Sequence, residues 1–184
     1  MRTVIFKSKG KKIKGQIPET WEEVTVRQFM SLEINQEPIE ILAGVMDIEL
    51  DFLKETRTDL RPVMVPLLEL FNNKPPEFKK IKPKGFIFQG KKIKFPRDLN
   101  SIMFGQALQI SQLLEEGVNK NLVKIAGIIL QPIIDGKYKE ENQERYSRLF
   151  ELLPIVEVFP ELFFFAQTLR KALIFGNLSS PVLI

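Results

Sequence analysis

Apolar and polar positions alternate in two short stretches, each centred on a glycine. Around Gly10, Val4, Phe6 and Ile13 fall on one face, and around Gly90 so do Phe86, Phe88 and Ile93. A period of two with a glycine at the turn predicts a β-hairpin, the glycine supplying the positive φ that other residues resist. The intervening lysines then point to water, and Pro18 and Pro96 end the strands because proline has no N–H for a ladder.

Beyond each hairpin the spacing changes to that of helices. Thr25 is placed to cap a helix running to about Asn35, with Val26, Phe29, Met30 and Leu32 toward the core. Asn100 or Ser101 is placed to cap its counterpart, in which Ile102, Ala107, Leu108, Ile110, Leu113 and Leu114 form an apolar stripe up to Gly117. Second helices are expected over 38–47 and 122–134. Pro62 and Pro66 are expected to break or kink a third apolar segment ending near Asn72-Asn73, and further helices are expected over 140–152 and 156–176.

The two halves resemble each other in order. Phe6-Lys7-Ser8-Lys9-Gly10-Lys11-Lys12-Ile13-Lys14 recurs as Phe86-Ile87-Phe88-Gln89-Gly90-Lys91-Lys92-Ile93-Lys94. Ile17-Pro18 answers to Phe95-Pro96, Val24-Thr25-Val26-Arg27-Gln28-Phe29 to Ile102-Met103-Phe104-Gly105-Gln106-Ala107, and Ile41-Leu42-Ala43-Gly44-Val45-Met46 to Lys124-Ile125-Ala126-Gly127-Ile128-Ile129. The expected fold is therefore α+β and mostly helical, two diverged copies of a β-hairpin followed by a small helical bundle. The first copy spans 1–73, a Lys/Pro-rich connector 74–85, the second copy 86–177, and an apolar tail 178–184.

Composition narrows the chemistry. Hydrophobic residues make up 44%, enough for a core. There is no cysteine and no histidine, which removes thiolate nucleophiles, disulfides, the commonest metal ligand and the commonest general base near neutral pH. The start of the chain lacks the apolar run of a signal peptide. The most apolar stretch, 155–175, carries Glu157, Glu161, Arg170 and Lys171, which fits a buried helix better than a membrane span. No enzymatic activity, no cofactor, no metal site and no membrane association are expected.

Charge is segregated along the chain. Residues 1–14 and 74–97 together carry +14, leaving −10 on the rest against a net +4. Lys9, Lys11, Lys12, Lys14, Lys80, Lys82, Lys84, Lys91, Lys92 and Lys94 are candidate contacts for an anionic partner, either an acidic protein surface or a nucleic-acid backbone. The plainer reading is that lysine suits exposed strands and discourages edge-to-edge aggregation. In these segments only Arg2 and Arg97 supply guanidinium groups, which argues against base-specific readout.

Other motifs have plain explanations. Gly90-Lys91-Lys92 lacks the spacing of a phosphate-binding loop. Asp47, Glu49 and Asp51 lack the glycine and terminal glutamate of a calcium loop and read as solvated helix ends. Glu140, Glu141 and Glu144 suit a helix N-terminus. Trp21 is expected to pack the strand-to-helix corner. Phe159, Phe163, Phe164, Phe165 and Phe175 give a segment apolar on most sides, expected to be buried between the copies or against a neighbouring subunit. In the tail, Val182, Leu183 and Ile184 are candidate protein contacts.

The segment Ile17-Pro18-Glu19-Thr20-Trp21-Glu22-Glu23-Val24-Thr25-Val26-Arg27-Gln28-Phe29 resembles a pattern in structural or tail-assembly proteins of Bacteroidetes tailed phages, crAss-like phages among them. The second copy lacks the Trp, having Leu99-Asn100 nearby, so no role of Trp21 carries over to it. The resemblance implies a virion component assembled in the host cytoplasm, in many copies, with other phage structural proteins as partners. A transient tail-assembly chaperone and a DNA-binding accessory protein making non-specific contacts through the Lys-rich hairpins are the alternatives.

Overall fold

Two-residue turns set the geometry of both hairpins in this computed structural model. It describes residues 1–8, 10–32, 37–56, 58–73, 82–97, 102–116 and 118–174. β1 (Arg2–Ser8) pairs antiparallel with β2 (Lys11–Ile17), Phe6 facing Ile13 and Ser8 facing Lys11. β3 (Phe86–Phe88) pairs with β4 (Lys91–Ile93), Phe86 facing Ile93 and Phe88 facing Lys91. Gly10 has φ +80° and Gly90 φ +74°, and Gln89 precedes the latter at φ +48°. Two successive positive φ values match the right-handed twist of paired strands, which fixes the second turn.

The chain is mixed α+β and mostly helical, with two small hairpins. It divides into two compact units. One comprises Met1–Phe78 with Pro154–Val156, the other Lys79–Leu153 with Glu157–Ile184.

In the first unit the hairpin leads through a 3-10 turn (Trp21–Glu23) to α1 (Val26–Met30), α2 (Pro38–Met46), α3 (Leu50–Lys54) and α4 (Arg61–Asn72). Thr25 caps α1, its Oγ1 accepting from Gln28 N–H at 3.2 Å. The helix stops at Met30, well short of the expected Asn35, and residues 33–36 lie outside the described set. Phe6, Ile17, Leu42, Val45, Leu53 and Leu67 form the centre of the core. Trp21 packs edge-on to Phe29 and Phe71, with ring centroids 6.4 and 5.6 Å apart, holding the corner as expected.

Prolines do not break α4. Pro62 sits in its first turn, where no N–H is needed, and Pro66 lies inside. Pro66 has no N–H for the carbonyl of Pro62 four residues earlier, and Arg2 Nη1 reaches that oxygen at 3.5 Å.

In the second unit α5 (Phe104–Glu115), α6 (Val118–Asp135), a 3-10 turn (Glu140–Asn142), α7 (Gln143–Glu151) and α8 (Ile155–Ile174, from Glu157 onward) follow the hairpin. Met103 occupies the cap position of α5, not Asn100 or Ser101, which lie with residues 98–101 outside the described set. An aromatic cluster fills the core: Phe95 lies 5.6 Å from Phe86, 5.9 Å from Phe150 and 5.4 Å from Phe165. Gly127 lets α7 approach α6 closely, since a Cβ there would stand 2.3 Å from Ser147 Oγ and 2.9 Å from Gln143 O.

Candidate protein-contact surfaces

Strand alternation sorts each hairpin into a buried and an open face. On β1–β2, Phe6, Ser8, Gly15 and Ile17 turn inward, while Thr3, Ile5, Lys7, Lys12, Lys14 and Gln16 face out. On β3–β4, Phe86, Phe88 and Ile93 turn inward, and Ile87 and Lys92 face out, with Lys94 continuing that side beyond the strand. Lys11, Lys12 and Lys14 are all exposed on β2, as are Lys91, Lys92 and Lys94 on and after β4. Lys91 differs from its neighbours, because its Nζ donates to Ile134 O at 2.9 Å and so meets an end carbonyl of α6. Lys82 and Lys84 are exposed just before β3, whereas Lys9, Lys80, Val182, Leu183 and Ile184 lie outside the described residues.

Sequence reasoning did not find the isoleucines among these lysines. Ile5 is 55% and Ile87 is 56% exposed, each in the middle of its open face. Strict alternation was the available signal, since both sit one residue out of phase with the buried phenylalanines.

Buried polar side chains hold the hairpins and helices in place. Glu161, which has no solvent exposure, accepts from Gly85 N–H at 2.7 Å and from Phe95 N–H at 3.3 Å, while Arg97 donates to both its oxygens. One carboxylate thereby ties together the chain entering β3 and the chain leaving β4. Gly85 is required beside it: φ is +81°, and a Cβ would lie 2.5 Å from Ile93 O. Arg97 also lies over the Phe164 ring, 4.9 Å from its centroid.

Gln28 and Gln106 occupy the same helical position, the third residue of α1 and of α5. Gln28 Oε1 accepts from Thr25 N–H at 3.0 Å and its Nε2 donates to Val45 O at 3.0 Å. Gln106 Oε1 accepts from Met103 N–H at 3.1 Å and its Nε2 donates to Ile128 O at 2.8 Å.

The remaining candidates are ordinary structural groups. Asp47, Glu49 and Asp51 are exposed, with Asp47 pairing to Arg27, and no cluster of metal-ligating side chains occurs among the described residues. Phe165 is buried in the second unit, Phe159 stacks on Phe163 at 6.2 Å, and Phe164 is largely open; Phe175 lies outside the described residues. A recess of about 250 Å³ in the second unit is lined by Ile102, Met103, Gln106, Ile129, Pro132 and Ile133, among others. No helix among the described residues is long and apolar enough to cross a membrane. No protein-family profile, no curated protein sequence and no solved structure matches the chain.

Proposed function

We propose that this chain is a non-enzymatic component of a tailed-phage particle, present in many copies and acting through protein–protein contacts. The observation that carries the contact reading is the frame common to both units. Each has a two-residue hairpin with a Phe–Ile pair at the same register, then a helix whose third residue is a glutamine. That glutamine closes its own helix start and donates to a main-chain oxygen of the next helix, at Val45 or Ile128.

Those residues are the ones that line up in the sequence repeat, so we infer that the units are diverged copies of one module. Duplication of a frame multiplies a surface. The buried polar side chains Gln28, Gln106 and Glu161 bind backbone groups in this frame, a structural use of their chemistry. The phage assignment is supported by the resemblance of segment 17–29, which forms the corner between β2 and α1.

Mass spectrometry of purified particles tests this reading. Peptides of the chain at a stoichiometry of several copies per particle are expected. Recovery from infected cells but never from particles would replace it with the assembly-chaperone reading. Release of the chain with the genome, and retention on DNA that weakens steeply with salt, would favour the DNA-binding reading.

A further inference from the structure

We propose that the open faces of the two hairpins are docking surfaces for an acidic polypeptide segment that carries an apolar side chain, one segment to each hairpin. The proposal deepens the contact-forming reading by giving the surface and the chemistry of its partner.

On β1–β2, Ile5 faces Lys14 directly across the ribbon, and on the same face Lys7 stands opposite Lys12. Like charges directly opposite on paired strands repel and destabilise the ribbon that bears them. An exposed isoleucine beside them adds apolar surface held in water. Each feature alone is unremarkable. Together they are local conflicts that an acidic, partly apolar partner resolves at once: its carboxylates relieve the repulsion, and its apolar side chain covers Ile5.

On β3–β4 an open isoleucine again lies among lysines, Ile87 facing Lys92 with Lys94 two residues further along, although no lysine there stands opposite another. Position does not simply repeat: Ile87 is in the second cross-strand pair from its turn, Ile5 in the fourth. Lys7, not an isoleucine, stands where Ile87 does, so the combination of open isoleucine and lysines arises at a separate register in each hairpin. Protection of strand edges accounts for the lysines but not for the isoleucines between them.

Among partners, the face favours protein over nucleic acid. Its cations are ammonium groups, without the guanidinium forks that clasp phosphates in pairs, and no aromatic ring stands among them for bases to stack on. An apolar centre has no use against a phosphate backbone.

Fluorescence anisotropy with the full chain tests the proposal. The probe is a fluorescein-labelled heptapeptide of six glutamates around a central leucine, compared with the same peptide carrying glycine at its centre. The leucine peptide is expected to bind about tenfold more tightly at equal salt, at two peptides per chain. Ile5→Ser combined with Ile87→Ser should erase that preference and leave the salt-dependent attraction, and Lys12→Glu with Lys92→Glu should abolish binding of both peptides. All four positions are exposed, and unchanged circular dichroism verifies that the variants fold. Equal affinity for the two peptides, or a preference that survives both serine substitutions, overturns the proposal. So does displacement of the leucine peptide by an equal charge concentration of duplex DNA. The assay reads the surface alone and particle proteomics reads the phage assignment, so either can fail without the other.

Discussion

Gln106 Nε2 donates to the carbonyl of Ile128 at 2.8 Å, four residues before Pro132 in the same helix. In an uninterrupted helix that carbonyl would receive the N–H of residue 132, which proline does not have. The glutamine supplies the missing donor, and its Oε1 meanwhile satisfies Met103 N–H at the start of α5. In the first unit the equivalent carbonyl, Val45 O, is left open because α2 ends at Met46, and Gln28 fills that role.

Removing the donor should therefore cost more while the proline is present. Gln106→Leu is expected to destabilise the second unit by roughly 1–3 kcal/mol, since the buried Ile128 carbonyl loses its donor and the part-buried Met103 N–H loses its acceptor. Pro132→Ala restores an N–H to the helix. In a double-mutant cycle by urea denaturation, Gln106→Leu should cost at least about 1 kcal/mol less on the Pro132→Ala background. Additive costs would mean that the glutamine does not answer the proline.

Glu161 gives a second test. With Glu161→Ala, Gly85 N–H and Phe95 N–H lose their acceptor, and a loss of about 3 kcal/mol is expected. Glu161→Gln keeps one acceptor oxygen and should fall between wild type and alanine. Hydrogen exchange localises the effect: amides 85 and 95 should lose protection first, before those of α6.

Gln131 offers the opposite sign. It is fully buried in α6, and neither its Oε1 nor its Nε2 has a hydrogen-bond partner among the described residues. An unsatisfied buried amide is a standing cost, so Gln131→Met, close in shape and apolar, should raise stability by about 1–2 kcal/mol. A lower denaturation midpoint for this variant would contradict the reading.

Tyr146 predicts a pH response. Burial, followed by its hydrogen bond to Asp135 at 2.6 Å and the charge of that carboxylate, pushes its phenol above the ordinary value of 10.0. The folded state thus favours the protonated phenol, so its contribution is complete below about pH 10 and is lost as pH rises through the folded value. Tyr138 is raised as well, through burial and then the charge of Glu140. Tyr146→Phe should cost about 1 kcal/mol at neutral pH, by losing the bond to Asp135, and should flatten the fall in stability above pH 10. Thermal melts across that range measure both effects.

Much of the local structure was legible because it depends on residues close in the chain. Gly10 and Gly90 mark turns that only a positive φ can close, and the alternation of Phe6 and Phe86 with their neighbours fixes which face is buried. Thr25 was readable as a cap for the same reason. Helix ends were less legible. The apolar pattern after Thr25 continues to Leu32, yet α1 stops at Met30, because nothing in a run of apolar residues says where the chain must turn to meet its core. Proline signals were mixed. Pro62 and Pro66 were expected to break or kink their segment, yet α4 runs through both, and Arg2 reaches the carbonyl that Pro66 leaves open. The helix expected over 122–134 already contained Pro132, and the structure adds that Gln106 meets the carbonyl it releases.

By itself the sequence determined the two hairpins, their inward faces, the mainly helical remainder and the separation of basic from acidic segments, all set by backbone sterics and by side-chain period over a few residues. Only the tertiary structure decided which buried polar groups find partners, Glu161 reaching back to Gly85 and Phe95, and Gln106 across to Ile128. Those bonds join residues 22 to 76 positions apart, and their existence depends on where packing places each helix.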